Sequence, residues 1–200
     1  MTLAPTRRAV LLQGAALAAT LGLTGPALAQ DVAAARSLVD RLVADVNAVI
    51  ASGAPEDAMI SQFAQVFQAY ADAPTIARYS LGADARAATP DQLARYTQAF
   101  SNYVAEKYGR RFREFVGGQV VVEDARAVPN GIEVQTTAFF TNQAPFRVDF
   151  WVSAGSGQLK FFNLIVEGVN MLLSERTEVQ ALLDQRGGDL ERLIADLSAM

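Results

Sequence analysis

Phe146-Arg147-Val148-Asp149-Phe150-Trp151-Val152-Ser153 sets an apolar side chain at every second position. Successive residues of a strand point to opposite faces, so Phe146, Val148, Phe150 and Val152 form one wholly apolar face. Asn142-Gln143-Ala144-Pro145 precedes this stretch and Gly155-Ser156-Gly157 follows it, both rich in turn formers. Before the first turn, residues 131–142 offer Ile132, Val134, Thr136, Ala138 and Phe140 in the same phase. After the second, residues 158–166 offer Leu159, Phe161 and Ile165 around Asn163. A further strand, 119–128, joins through Pro129-Asn130-Gly131, which supplies the residues that a positive φ demands. Short turns between consecutive strands make a four-stranded antiparallel meander.

Outward from the sheet the apolar period changes at Gly117-Gly118. Before it lies a long helix opened by Thr89-Pro90-Asp91, with a threonine cap, proline at the first position and then an acid. That helix is expected to run to Phe115, carrying Leu93, Tyr96, Phe100, Tyr103, Val104, Tyr108, Phe112 and Phe115 as a broad, largely aromatic stripe. Three shorter segments precede it. Residues 31–52 place Val32, Leu38, Leu42, Val46, Val49 and Ile50 on one stripe and stop at Gly53. Pro55-Glu56-Asp57 starts a second helix with Ile60, Phe63, Phe67 and Tyr70 on its apolar face. Residues 74–81 form a third, closed by Gly82. From Asn170 the helical period returns to the C-terminus. The expected fold is α+β: N-terminal helices, a four-stranded meander sheet, and C-terminal helices packed on the sheet around an apolar pocket.

Residues 1–29 read as a cleaved secretory leader. Thr6-Arg7-Arg8 is followed by an apolar run from Val10 to Leu23, then Gly25-Pro26 and Ala27-Leu28-Ala29, a small-x-small exit. The paired arginines resemble a twin-arginine export signal. The single domain is then 30–200. Arg7 and Arg8 leave with the leader and no acid does, so the remaining chain carries −6 instead of the −4 of all 200 residues.

Composition removes whole classes of function. The chain has neither cysteine nor histidine. Disulfides, thiolate metal sites, cysteine nucleophiles and every Ser-His triad are therefore absent. Net negative charge argues against a nucleic-acid partner. Carboxylate chemistry is the enzymatic contender, with Glu123-Asp124, Asp149 and Glu167 near the sheet, but no helix carries two acids with a third group to orient them, and no site combines nucleophile, base and orienter. Asp149 reads as a partner of Arg147. Lys107, Arg110, Arg111 and Arg113 gather at the end of the long helix, where cations complement its dipole or offer a small basic patch to a lipid phosphate or an acidic docking partner. The apolar sheet face reads either as a filled core or as the wall of a cavity, and periodicity does not separate the two.

Three motifs resemble the MlaC family, also called the toluene-tolerance family. Val166-Glu167-Gly168-Val169-Asn170-Met171-Leu172-Leu173, with Arg176 beyond it, is similar to the family's V-E-G-V-S run leading into a helix with a fixed arginine. Ile76-Ala77-Arg78-Tyr79-Ser80-Leu81-Gly82, then Arg86 and Thr89-Pro90-Asp91-Gln92, resembles its I-A-x-x-x-L-G segment and A-T-P-x-Q helix start. Phe100 to Tyr108 falls where members have F-x-x-x-L-x-x-x-Y. The sequence departs from the family pattern at Asn163, Asn170 and Glu175, where members usually carry aspartate, serine and tyrosine.

The resemblance implies a non-enzymatic periplasmic carrier of phospholipid, without cofactor, serving an inner-membrane Mla ABC transporter and an outer-membrane lipoprotein complex. On that reading Phe100, Val104, Phe112, Ile132, Val134, Phe140, Phe146, Val148, Phe150, Val152, Leu159, Phe161 and Ile165 line the lipid cavity. No buried charge cluster is visible to receive a head group, which is expected to stay in solvent. Another membrane lipid such as a hopanoid is the alternative cargo. A small carboxylate-dependent hydrolase or isomerase, or an adaptor with a filled core, is the alternative class.

Overall fold

The structure is a computed structural model that describes the backbone of residues 25–141 and 143–200, with side chains from Asp31 onward except those of Phe112 and Arg113. The expected leader therefore lies outside the described residues, apart from the last few, which are helical. Helices α1 (Gly25–Ala51), α2 (Glu56–Tyr70), α3 (Ala73–Leu81) and α4 (Pro90–Gly109) precede the strands. Strands β1 (Gln119–Val128), β2 (Gly131–Phe139), β3 (Phe146–Ser153), β4 (Lys160–Val166) and β5 (Val169–Asn170) follow. Helices α5 (Met171–Asp184) and α6 (Leu190–Ser198) close the chain. The strands form one antiparallel sheet in sequence order, a meander of five and not four.

Local chemistry accounts for most boundaries. Thr89 accepts from the Gln92 amide while the Gln92 side chain accepts from the Thr89 amide, a reciprocal cap that fixes the start of α4. Asp72, Asn170 and Asp189 cap α3, α5 and α6 one-sidedly, each side chain accepting from backbone amides of the first turn. The α4 helix ends six residues short of Phe115; residues Arg110–Phe115 tighten into a 3₁₀ turn. The fifth strand is two residues long, and Glu167 and Gly168 both take positive φ in the two-residue turn before it. Such a turn matches the twist of a tight hairpin. At the β1–β2 turn, Gly131 has φ +145°, and a Cβ there would stand 2.3 Å from the Val152 carbonyl oxygen.

Bulges decide which side chains face inward. One extra residue in β4, Phe162, sits opposite the Trp151/Val152 step: Trp151 pairs with Asn163 and Val152 with Phe161. The phase of β4 therefore flips at that point. Leu164 and Val166 share the inner face with Phe161, while Ile165, paired with Asp149, turns to the other face. The expected inward position of Ile165 fails for this reason.

Helix α1 clamps the free edge of β1. The Asn47 side chain accepts from the Val120 amide at 2.8 Å and donates to the Val120 carbonyl at 2.9 Å. Arg36 donates to the Glu123 carbonyl at 2.9 Å, the residue set out of register by the β1 bulge. These bonds occupy strand groups that otherwise template aggregation.

Candidate functional site

A cavity of about 550 Å³ lies between the sheet and α1, α2 and α4, within the roughly 300–1,000 Å³ usual for ligand sites. Its roof is the second half of α1, through Leu42, Val43, Val46 and Ile50, together with Phe63, Val66 and Phe67 of α2. The floor is the inner face of the sheet around the β2–β3 turn. Exposed Arg111, Glu114 and Gln143 also line it and mark the mouth.

Two aromatic groups shape the interior. Phe161 meets Phe67 and Phe150 edge-on, with ring centroids 6.1 and 5.8 Å apart. Nearer the mouth, Phe140 stacks on Phe115 at 4.2 Å and leans on Phe146 at 5.5 Å. Rings in such offset and edge contacts hold one another at some distance and stiffen a wall without filling the space in front of it.

Of the thirteen expected wall residues, Phe100, Val104, Phe140, Phe146, Val148, Phe150 and Phe161 line this cavity. Ile132, Val134 and Val152 do not. They are buried in close-packed core at the other end of the sheet. The position of α1 explains the split. Its first half, held at Arg36, overlies the filled end, and its second half, held at Asn47, spans the open one. Leu159 packs against the core at the start of the β4 segment, away from the cavity. Ile165 is lost to the bulge, and the Phe112 side chain lies outside the described residues. The sequence reading missed the α1 and α2 contribution and Leu164 and Val166. The apolar stripes of α1 and α2 were visible, but nothing local says which part of a stripe meets another side chain and which meets empty space.

The expectation that no buried charges approach the cavity also fails. Glu175, on the first turns of α5, is 5 % exposed and lines the cavity. Its Oε1 accepts from Lys107 Nζ at 2.8 Å and from the Tyr108 hydroxyl. Lys107 reaches Glu178 at 2.5 Å, and Glu178 also accepts from the Tyr103 hydroxyl. Burial works against the Lys107 ammonium, but its bonds to the two carboxylates outweigh this and raise its pKa above the ordinary lysine value. Burial, with the neighbouring carboxylates, pushes both tyrosine hydroxyls far above their usual range. Lys107 therefore stays charged and the two tyrosines stay neutral at neutral pH, and all three serve as fixed donors.

The remaining candidates are dispersed. Asp149 accepts from Arg147 at 3.0 Å and faces away from the cavity, as expected of a structural pair. Glu167 accepts from the Arg147 amide in its turn. Arg110 pairs with Glu106, and Arg111 has no ion pair or hydrogen bond among the described residues. No group of three or more acids among the described residues could hold a metal ion, and no described helix is long and apolar enough to cross a membrane.

Comparison with known proteins agrees with this architecture. The family model described as MlaC protein matches residues 36–199. Toluene tolerance protein ttg2D from Pseudomonas putida is 26 % identical over 112 residues, 54 % of this chain and 51 % of that protein. The chain thus spans about half the length of this curated relative. A solved phospholipid-binding protein from Ralstonia solanacearum, in complex with a phospholipid at 1.53 Å resolution, superposes with a TM-score of 0.67. It shares 20 % identity, with 82 % of this chain and 98 % of that chain covered. At such identity the shared property is the fold.

Proposed function

The chain belongs to the MlaC family, and from that premise we propose that it is a periplasmic phospholipid carrier, exported by a leader ending at Ala29, that holds acyl chains in the cavity between sheet and helices. The observation that carries this reading is the cavity itself: about 550 Å³, walled largely by aliphatic and aromatic side chains on both layers, with Arg111, Glu114 and Gln143 at the mouth and Asn163 and Glu175 among its few buried polar groups. A phospholipid-binding protein of the same fold, solved with its lipid, supports it.

Transfer physics gives such a cavity its purpose. Each CH₂ moved into water costs about 0.8 kcal/mol, so a lipid with about 30 of them meets a barrier of about 24 kcal/mol. A protein that offers an apolar wall throughout the journey removes most of that barrier. No bond is made or broken, so the lack of histidine and cysteine costs nothing. The two ends of the route, an inner-membrane ABC transporter and an outer-membrane lipoprotein complex, belong to the same proposal.

The test is extraction of the purified protein followed by lipid mass spectrometry. About one phospholipid per chain is expected. Protein purified without detergent and carrying no lipid of any kind would overturn the carrier reading, and a polycyclic lipid in its place would replace the cargo.

A further inference from the structure

Among the described residues Phe140 alone lines two spaces. One is the apolar cavity of about 550 Å³; the other is an open surface recess of about 330 Å³ between the Gly117-Gly118 loop and the end of β2. Its place in the chain leaves the ring loosely tied. Strand β2 ends at Phe139, so Phe140 lies beyond the last ladder pair, Gln119 with Phe139. The half-buried ring rests on Phe115 at 4.2 Å and on Phe146 at 5.5 Å. Ring contacts of this kind are each worth only about two- to tenfold in an equilibrium.

The loop against the ring is bare. A Cβ at Gly118 would stand 2.1 Å from Phe140 Cδ1 and 2.6 Å from the Phe139 carbonyl oxygen, so glycine is what lets the loop lie this close. Gly117 takes φ +84°, which glycine adopts without strain. Neither residue puts a side chain into the recess, so the ring has open space on its outer side.

Resting on the carrier reading, we propose that Phe140 is the door of the cavity, the side chain that sets the rate of cargo exchange. Stacked on Phe115 it completes the wall; swung into the recess it opens a passage for an acyl chain. A carrier must shield its cargo in transit and still load and discharge it, and a ring held by weak contacts permits both. A door differs from a wall in its kinetics. Losing a wall contact speeds release and leaves uptake alone, whereas losing a conformational step that precedes binding speeds uptake as well.

The experiment mixes delipidated protein, in stopped flow, with monomeric dihexanoyl phosphatidylcholine carrying a fluorophore on one chain. This probe is soluble, so departure from a vesicle is not the slow step. Uptake is read as a second-order rate constant, and release by displacement with unlabelled lipid. Phe140→Ala should raise the uptake constant about tenfold, and Phe115→Leu, which removes the stack but keeps the Phe140 ring, about threefold. Phe140→Leu retains apolar bulk and should fall between the wild type and Phe140→Ala, so the outcome does not hang on the larger truncation folding. Phe67→Leu, in the interior wall, should speed release alone. Unchanged uptake in the Phe140 and Phe115 variants would overturn the door. So would uptake in Phe67→Leu that rises as much as in Phe140→Ala, since the whole wall would then have loosened. A wild type that takes up no probe would overturn the carrier reading itself, and the door with it.

Discussion

Val148 and Val152 lie on the same face of β3, two side chains apart, and the structure gives them different surroundings. Val148 borders the cavity, whereas Val152 is fully buried in packed core. Tryptophan at the two positions should separate cargo loss from destabilisation. Val148→Trp extends its indole into acyl-chain space; it should melt close to the delipidated wild type while co-purified lipid falls sharply. Val152→Trp overpacks a filled site at a cost of about 1–3 kcal/mol or more, lowering Tm by several degrees in a chain of this size. If Val148→Trp melts as low as Val152→Trp and still carries its full lipid, the cavity wall has been drawn in the wrong place.

At the scale of elements, α4 and α6 are held by an exposed clamp. Arg95 grips Glu191 with two bonds of 2.7 Å, and Gln92 adds a third of 3.0 Å to the same carboxylate. The guanidinium and amide donors hold the Glu191 pKa down at about 2. A depressed carboxylate pKa contributes stability that is present above the unfolded value and lost as pH falls through the folded one. The clamp should therefore act fully above about pH 4.5 and fade towards pH 2. Glu191→Gln is expected to melt slightly below the wild type at pH 7, with the gap closing over that window and shrinking in 1 M salt through screening, about 3 Å being the Debye length there. Thermal melts of both proteins across pH 2–7 provide the check; a gap that grows on acidification would remove Glu191 as its source.

Over the whole molecule, cargo and stability are linked. A ligand that binds only the folded chain stabilises it by about 2.7 kcal/mol at a hundred times its Kd, which is roughly 5–10 °C in Tm. Delipidation should lower Tm by about that much, and adding phospholipid vesicles should restore it; an unchanged Tm after verified lipid removal would deny any cargo in the folded interior. Export makes a separate prediction. The N-terminal mass of protein from the periplasm should correspond to a start at Gln30, and retention of residues 1–29 in that pool would contradict the proposed leader.

Local chemistry in the sequence determined much of this protein: the caps at Thr89 and Asn170, the β1–β2 and β3–β4 turns, the strand phase of Phe146–Ser153, and the order of helices before and after the sheet. Such signals act over three or four residues, so a linear reading captures them. Tertiary structure alone decided the rest. The flip of β4 at Phe162 depends on pairing with β3, and it moves Ile165 out and Leu164 in. The two-residue β5 exists only because Glu167-Gly168 folds it back onto β4. The meeting of Glu175 with Lys107 and Tyr108 joins residues 67 and 68 positions apart. Above all, the apolar faces of α1 and the sheet are continuous in sequence, yet one end of their contact is packed and the other is open. Periodicity reports which face leaves water. The distance between two such faces is set by how α1 seats on the β1 edge at Arg36 and Asn47, and that distance decides whether burial makes a core or a cavity.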